Sequence, residues 1–339
     1  MPLLEVQDLT IRLQTPRGPA DAVRGLSFSL DKGEALGLIG ESGCGKSLTV
    51  MALMGLLPDS AQVRGSIRLD GQELVGRDDR FLCRLRGDRL AMIFQEPMTA
   101  LNPLHTIGHQ VAEPLRLHRG LPAREARAQA LALLERVGIP DAARRLDAYP
   151  HQFSGGQRQR ITIAMALACS PDLLIADEPT TALDVTVQRQ ILDLINELVD
   201  ERGMALLLIS HDLGVIANNV DRMMVMYGGT VVESGPTEAV FSRMAHPYTR
   251  GLFAARPRLG AARGSGPKPP LATIAGTVPE LVDLPAGCAF SGRCGFSTDE
   301  CVQRRPEAEA VPEAPGTAAQ AGHLVRCWRS HEWLLEAAP

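Results

Sequence analysis

Gly40-Glu41-Ser42-Gly43-Cys44-Gly45-Lys46-Ser47 reads G-x-x-x-x-G-K-S, and this stretch decides the fold. Its glycines let consecutive backbone N–H groups converge on phosphate oxygens without Cβ clashes. Lys46 supplies a point charge for the β- and γ-phosphates, and the Ser47 hydroxyl is a ligand for Mg²⁺. The flanks agree. Glu34-Ala35-Leu36-Gly37-Leu38-Ile39 is a short apolar run that reads as a buried strand. Residues 48–57 read as a helix whose N-terminus faces the anion. All eight residues, from Gly40 through Glu41, Ser42, Gly43, Cys44 and Gly45 to Lys46 and Ser47, are candidate nucleotide contacts.

Downstream, Leu173-Leu174-Ile175-Ala176-Asp177-Glu178 is an apolar strand that runs into two acids. Asp177 fits a Mg²⁺-holding carboxylate. Glu178 fits a general base that polarises an attacking water. Alone, the pair would read as a solvated acidic turn. Behind a phosphate loop, the two halves complete one NTP–Mg²⁺ site.

Between them lies Phe153-Ser154-Gly155-Gly156-Gln157-Arg158-Gln159-Arg160, ahead of an apolar helical stretch at 161–168. Small residues before a helix make a second anion-binding N-terminus. Gln95 follows the strand-like Leu90-Ala91-Met92-Ile93-Phe94. His211 follows Leu206-Leu207-Leu208-Ile209-Ser210, and Ala182-Leu183-Asp184 stands between the acids and a helical stretch at 187–201.

In this order the segments resemble the ATP-binding-cassette family. The resemblance implies a P-loop α/β nucleotide-binding core of the cassette type. It makes Ser154, Gly155, Gly156 and Gln157 the signature, Gln95 the Q-loop glutamine, Asp184 the D-loop acid and His211 the switch histidine. Catalysis would rest on Glu178, His211 and Gln95. Mg²⁺ would be held by Ser47, Gln95 and Asp177. In the family, ATP is sandwiched between two chains, so Ser154, Gly155, Gly156, Gln157 and Asp184 would act on nucleotide held by the opposite chain. One phosphate loop and one signature make this chain half of such a sandwich. One family feature is missing: where an aromatic ring usually stacks on adenine, this chain has Leu13, with Arg12 beside it.

The composition is compatible with that reading. The chain has 339 residues, 45% of them apolar, enough for a large core. A net charge of -4 leaves no electrostatic footprint for nucleic acid, and 4% aromatics leave few stacking surfaces. Met1-Pro2-Leu3-Leu4-Glu5 lacks the basic and long apolar parts of a secretory signal. No apolar run approaches the roughly 20 residues of a membrane span. Membrane association is therefore expected through partners.

Along the chain, residues 1–95 alternate short strands with turns, Asp70-Gly71 being a hairpin turn. Residues 96–168 form the expected inserted helical subdomain, with a helix over 123–137 that stops at Gly138. Strands and helices alternate again to residue 255. The expected division is a cassette over 1–255, a Pro/Gly-rich linker over 256–271 and a small Cys-rich C-terminal domain over 272–339.

That tail carries Cys288, Cys294, Cys301 and Cys327, spaced C-x5-C-x6-C-x25-C. Four thiols in a core-poor segment can hold a zinc ion or an iron–sulfur cluster. His246-Pro247-Tyr248-Thr249-Arg250-Gly251-Leu252, Gly276-Thr277-Val278-Pro279, Gly287-Cys288-Ala289-Phe290 and Arg293-Cys294 resemble the tail of peptide-importer ATPases, some of which carry a 4Fe–4S site there. The stretch from Phe94 to Pro103 resembles their Q-loop. The resemblance implies ATP hydrolysis that energises import of di- or oligopeptides, with a 4Fe–4S cluster in the tail and zinc as the alternative. It implies a second cassette ATPase, expected to be a different chain. Further partners would be two transmembrane permease subunits and an extracytoplasmic peptide-binding protein, with no nucleic acid. The chain would sit on the cytoplasmic face of the cell membrane through its permeases. An importer of nickel, glutathione or another small solute is the alternative, and a soluble cassette ATPase a more distant one. Because the thiols are far in sequence from Lys46 and Glu178, their replacement is expected to leave ATP binding largely intact.

Overall fold

The structure, a computed structural model, describes residues 1–181, 183–255, 273–311 and 322–330. The expected linker at 256–271 lies outside them, as does Ala182 of the D-loop.

The core is one sheet whose central strands are buried on both faces. In chain order the strands are β1 (Leu4–Thr15), β2 (Gly18–Leu30), β3 (Ala35–Ile39), β4 (Gln62–Leu69), β5 (Gln72–Glu73) and β6 (Leu90–Ile93). There follow β7 (Leu173–Asp177), β8 (Ala205–Ser210), β9 (Arg222–Tyr227), β10 (Thr230–Pro236), β11 (Glu309–Ala310) and β12 (Leu324–Val325). The large sheet has the order β11-β12-β10-β9-β3-β8-β7-β6. Its middle strands are parallel, with β3 between β8 and β9 and β7 between β6 and β8. Parallel strands need cover on both faces, which explains their continuous apolar sequence. The pleat divides that cover. Leu174 and Ala176 of β7, with Leu206 and Leu208 of β8, face the helical side. Leu173 and Ile175, with Ala205, Leu207 and Ile209, face the second sheet. Truncating fully buried Leu207 to Ala would cost about 2–5 kcal/mol.

The second sheet, β2-β1-β4-β5, is antiparallel. Its β4–β5 hairpin turns at Asp70 and Gly71, with φ of 49° and 75°. Two successive positive φ values suit a turn that follows the right-handed twist of its strands.

Helices fill the stretch between β6 and β7. They include Ile107–Arg119, Ala123–Arg136 and Gly155–Ala166. The chain leaves the helix Ala123–Arg136 through Gly138, at φ 78°. Ala126, Ala130 and Leu134, at helical spacing, carry its buried face. No helix among the described residues is long and apolar enough to cross a membrane.

The tail departs from the expected separate Cys-rich domain. Its β12 pairs with β10, matching Glu233 to Val325 and Ser234 to Leu324, and β11 pairs with β12. Glu233, 1% exposed, accepts from the N–H groups of Ala245 and His246 and lies 2.8 Å from His323 Nε2. Phe290 packs edge-on against Tyr227. The described tail segments thus complete the edge of the cassette sheet. Short strands and a few apolar anchors cannot bury a core of their own, so they borrow this one.

Candidate nucleotide site

Register places the motifs together. Ile39 at the end of β3 faces Ser210 of β8, Asp177 of β7 faces Ile209, and Ile93 of β6 faces Ala176. The phosphate loop, Asp177-Glu178, His211 and Gln95 all follow the carboxyl ends of these parallel strands. That is where open α/β sheets bind ligands.

The loop is shaped by glycine. Gly43 and Gly45 have φ of 82° and 103°. A Cβ on Gly40 would lie 2.2 Å from the carbonyl oxygen of Met226, so no side chain fits there. The helix Lys46–Met54 starts directly after Gly45, earlier than its apolar residues suggest, and ends at Gly55. Lys46 is 6% exposed, and its Nζ donates to the carbonyls of Gly40 at 2.7 Å and Glu41 at 3.1 Å. Cys44 is buried, its thiol pushed up by that burial, and its Sγ lies 3.7 Å from Lys46 Nζ. Ser42 and Gly43 are exposed at the mouth of the loop.

Asp177 is 5% exposed. Its Oδ1 is buried without a hydrogen-bond donor, while the Ser47 hydroxyl bonds to the carboxyl. Burial raises its pKa above the ordinary carboxylate value. Ser47 and Lys46 act against that rise, and the charge of Glu178 adds to it. An orphaned carboxylate oxygen beside a hydroxyl is the donor set a hard cation needs, so these residues fit Mg²⁺.

Glu178 is the meeting point of the expected catalytic group. Its Oε2 accepts from Gln95 Nε2 at 3.2 Å and lies 3.2 Å from His211 Nδ1. Its backbone has φ 47°, a conformation that costs a non-glycine residue energy and is found at functional sites. Glu178 N–H donates to the Ile209 carbonyl at 2.9 Å, tying β7 to β8 at this corner. Gln95, expected also as a Mg²⁺ ligand, is hydrogen-bonded to Glu178 in this structure. The sequence reading missed Thr181, whose Oγ1 donates to the same Glu178 oxygen at 3.1 Å. Nothing in a Thr two residues past Pro179 announces that role.

The signature residues lie at an exposed helix start. Ser154 caps the helix Gly155–Ala166, its Oγ accepting from Gln157 N–H at 3.3 Å. Gln157 Oε1 accepts in return from Ser154 N–H at 3.2 Å. This is a capping box. Gly156 packs so closely on Val187 that a Cβ would lie 2.8 Å from its Cγ1. Asp184 caps the helix Val185–Arg202 by accepting from Val187 N–H at 3.0 Å. Ser154, Gly155 and Asp184 are exposed, available to a partner surface. At the adenine position, Leu13 packs partly buried against the core, and Arg12 is held by Asp21 in a two-pronged pair at 2.6 and 3.0 Å. That pair uses the edge of the Arg12 guanidinium.

Cys288, Cys294, Cys301 and Cys327 line one half-open cavity, with Phe290 and Trp328 among its other walls. Burial, then the neighbouring thiols, pushes Cys288 up to about 11 and Cys327 up to about 12. Among the described residues no group of three or more His, Cys, Asp or Glu is arranged to hold a metal ion. The four thiols are therefore not arranged as a preformed metal site, for zinc or for the expected 4Fe–4S cluster.

The chain matches two family models: ABC transporter over residues 23–181, and oligopeptide/dipeptide transporter, C-terminal region, over residues 232–301. It is 48% identical over 331 residues to the oligopeptide transport ATP-binding protein OppD of Haemophilus influenzae, covering 98% of each chain. OppD of Mycobacterium tuberculosis is 48% identical over 307 residues, 90% of this chain and 50% of that one. Among solved structures, the dimeric post-hydrolysis state of the ATP-binding cassette MJ0796 bound to ADP and Pi superposes with a TM-score of 0.62 at 28% identity. That match covers 69% of this chain and 98% of the other. Near-complete coverage at this identity, over a site assembled in the cassette order, leaves one conclusion: the chain belongs to the ABC transporter ATPase family and carries its oligopeptide/dipeptide-transporter C-terminal region.

Proposed function

We propose that this chain is the ATP-hydrolysing subunit of a peptide importer. The observation that carries the chemistry is the convergence of Gln95, Thr181 and His211 on one oxygen of Glu178, beside the Ser47–Asp177 pair. Glu178 takes the proton of the water that attacks the γ-phosphate. His211 and Gln95 orient the carboxylate, and Lys46 leaves its loop carbonyls for the phosphate oxygens. Mg²⁺ on Ser47 and Asp177 would neutralise charge on the β- and γ-phosphates. The oligopeptide relatives and the matching C-terminal region support the peptide cargo over nickel or glutathione.

The exposed Ser154, Gly155 and Asp184 support a second cassette chain as the partner that completes each ATP site. Two permease subunits and an extracytoplasmic peptide-binding protein would be the further partners of such an importer, with the chain on the cytoplasmic membrane face. We assign residues 1–255 to the cassette, with its helical insertion near 96–168, and 272–339 to a C-terminal unit whose described segments pair with the cassette sheet.

The four-thiol cavity is assigned to a 4Fe–4S cluster. All four thiols line one cavity, which supports one shared group whose role would be to staple the tail. Anaerobic purification should give a brown chain with broad absorption near ~400 nm and about four irons. Colourless protein with four freely alkylated thiols refutes that assignment. The transport reading is tested by reconstitution with the cognate permeases and binding protein. Peptide should stimulate ATP hydrolysis and enter the vesicle. ATP turnover with no peptide uptake refutes it.

A further inference from the structure

Glu41 is an anion inside a loop built for a polyanion, and its charge is held by the tail. Arg293 Nη1 donates to Glu41 Oε2 at 2.7 Å and Nη2 donates to Oε1 at 3.4 Å. The guanidinium is itself fixed. Its Nε donates to the Ala275 carbonyl at 2.9 Å, Nη2 to the Ile274 carbonyl at 3.4 Å and Nη1 to Tyr227 Oη at 3.3 Å. Its side chain is 7% exposed, whereas that of Glu41 is 30% exposed. The rest of Glu41 is anchored as well. Its N–H donates to Tyr248 Oη at 2.8 Å, and its carbonyl accepts from Lys46 Nζ at 3.1 Å. One residue thus joins the tail, Tyr248 and the lysine of the phosphate loop.

We propose that Arg293 is a positioning residue of the nucleotide site: it neutralises Glu41 and fixes its direction, so that the loop presents net positive charge to the triphosphate. An unpaired Glu41 carboxylate, free to turn toward the loop mouth, would repel the phosphates and compete for Lys46. A planar guanidinium with two parallel donors suits this task better than an ammonium. Arg293 closes the single helical turn Ser291–Arg293 and directly precedes Cys294. The backbone of that turn is tied to the thiol region, Ser291 N–H donating to the Cys288 carbonyl at 3.0 Å and Cys288 N–H to the Cys301 carbonyl at 2.7 Å. Nucleotide affinity is therefore coupled to the order of the tail, which touches the phosphate loop directly through this pair. Coupling is reciprocal, so bound nucleotide must also order the tail.

The test is a double-mutant cycle on the full chain, with Mg–AMP-PNP affinity measured by calorimetry. Arg293→Gln should weaken binding about tenfold, within the usual range of coupling between sites. On a Glu41→Gln background the same change should cost less than about twofold, because no charge is left to neutralise. Arg293→Lys, which keeps the charge and loses the paired donors, should fall between the parent and Arg293→Gln. In steady state Arg293→Gln should raise KM for ATP and leave kcat within about twofold, since the Glu178 group is untouched. Equal losses on both backgrounds, or no loss at all, overturn the proposal. One arm needs no variant: AMP-PNP should slow amide exchange over residues 288–294 in the unaltered chain. Unchanged exchange there also overturns the proposal, even if Arg293→Gln does not fold.

Discussion

Replacing Glu178 by Gln isolates the step on which the chemistry rests. The carboxylate Oε2 has three partners at 3.1–3.2 Å, namely Thr181 Oγ1, Gln95 Nε2 and His211 Nδ1. An amide of the same shape keeps an acceptor oxygen for these groups. It also keeps the backbone bond from residue 178 to the Ile209 carbonyl. The fold and nucleotide binding should persist, because neither the phosphate loop nor Asp177 is altered. What disappears is the ability to take a proton. Loss of a general base slows a reaction by about 10²–10⁴-fold, or about 3–5 kcal/mol on the barrier. Single-turnover hydrolysis with protein in excess over labelled ATP reads this step without product release. Calorimetry with Mg–ATP checks that affinity stays within about threefold of the parent. A single-turnover rate within about tenfold of the parent would refute Glu178 as the base. A collapse of affinity would refute the separation of binding from chemistry.

Other perturbations separate the remaining parts. Lys46→Ala should weaken Mg–ATP binding in an equilibrium titration, whereas Ser154→Arg should spare binding and abolish turnover, since Ser154 lies on an exposed helix start. Weakened binding by Ser154→Arg would place the signature in the chain's own nucleotide pocket. Glu73 gives a pH effect with a definite sign. Burial pushes its carboxyl up, but hydrogen bonds from Ser66, Ile67, Val75 and Leu74 outweigh that and hold it below the ordinary 4.5. Its stabilisation is therefore present above pH 4.5 and lost as pH falls through the lowered value. In denaturant titrations Glu73→Gln should flatten the loss of stability below pH 4.5, and an unchanged profile would contradict this.

Much of the site was legible because its motifs are local. Gly40 to Ser47, Asp177-Glu178 and Ser154 to Gln157 each carry their chemistry within a few residues, and parallel register brings their strand ends together. The central strands were readable from continuous apolar runs. Less legible was everything decided by distant packing. Arg293 and Glu41 are 252 positions apart, and no periodicity in either segment points to the other. The tail reads by composition as a unit of its own, yet β12 completes the cassette sheet, because the open edge of β10 and the buried Glu233 are three-dimensional features. Helix starts moved for a physical reason. Gly155 and Lys46 open their helices through a Ser154 cap and a Gly45 turn, which apolar periodicity does not register.

The claim that two chains share each ATP site has one direct measurement, the hydrolysis rate per chain as a function of the concentration of the second cassette. If Ser154 and Asp184 act on nucleotide held by the opposite chain, the rate per chain rises with partner concentration and saturates. Glu178→Gln, with ATP, should then bring the two chains together in light scattering. A full rate per chain that stays constant on dilution to isolated monomer would contradict the shared site.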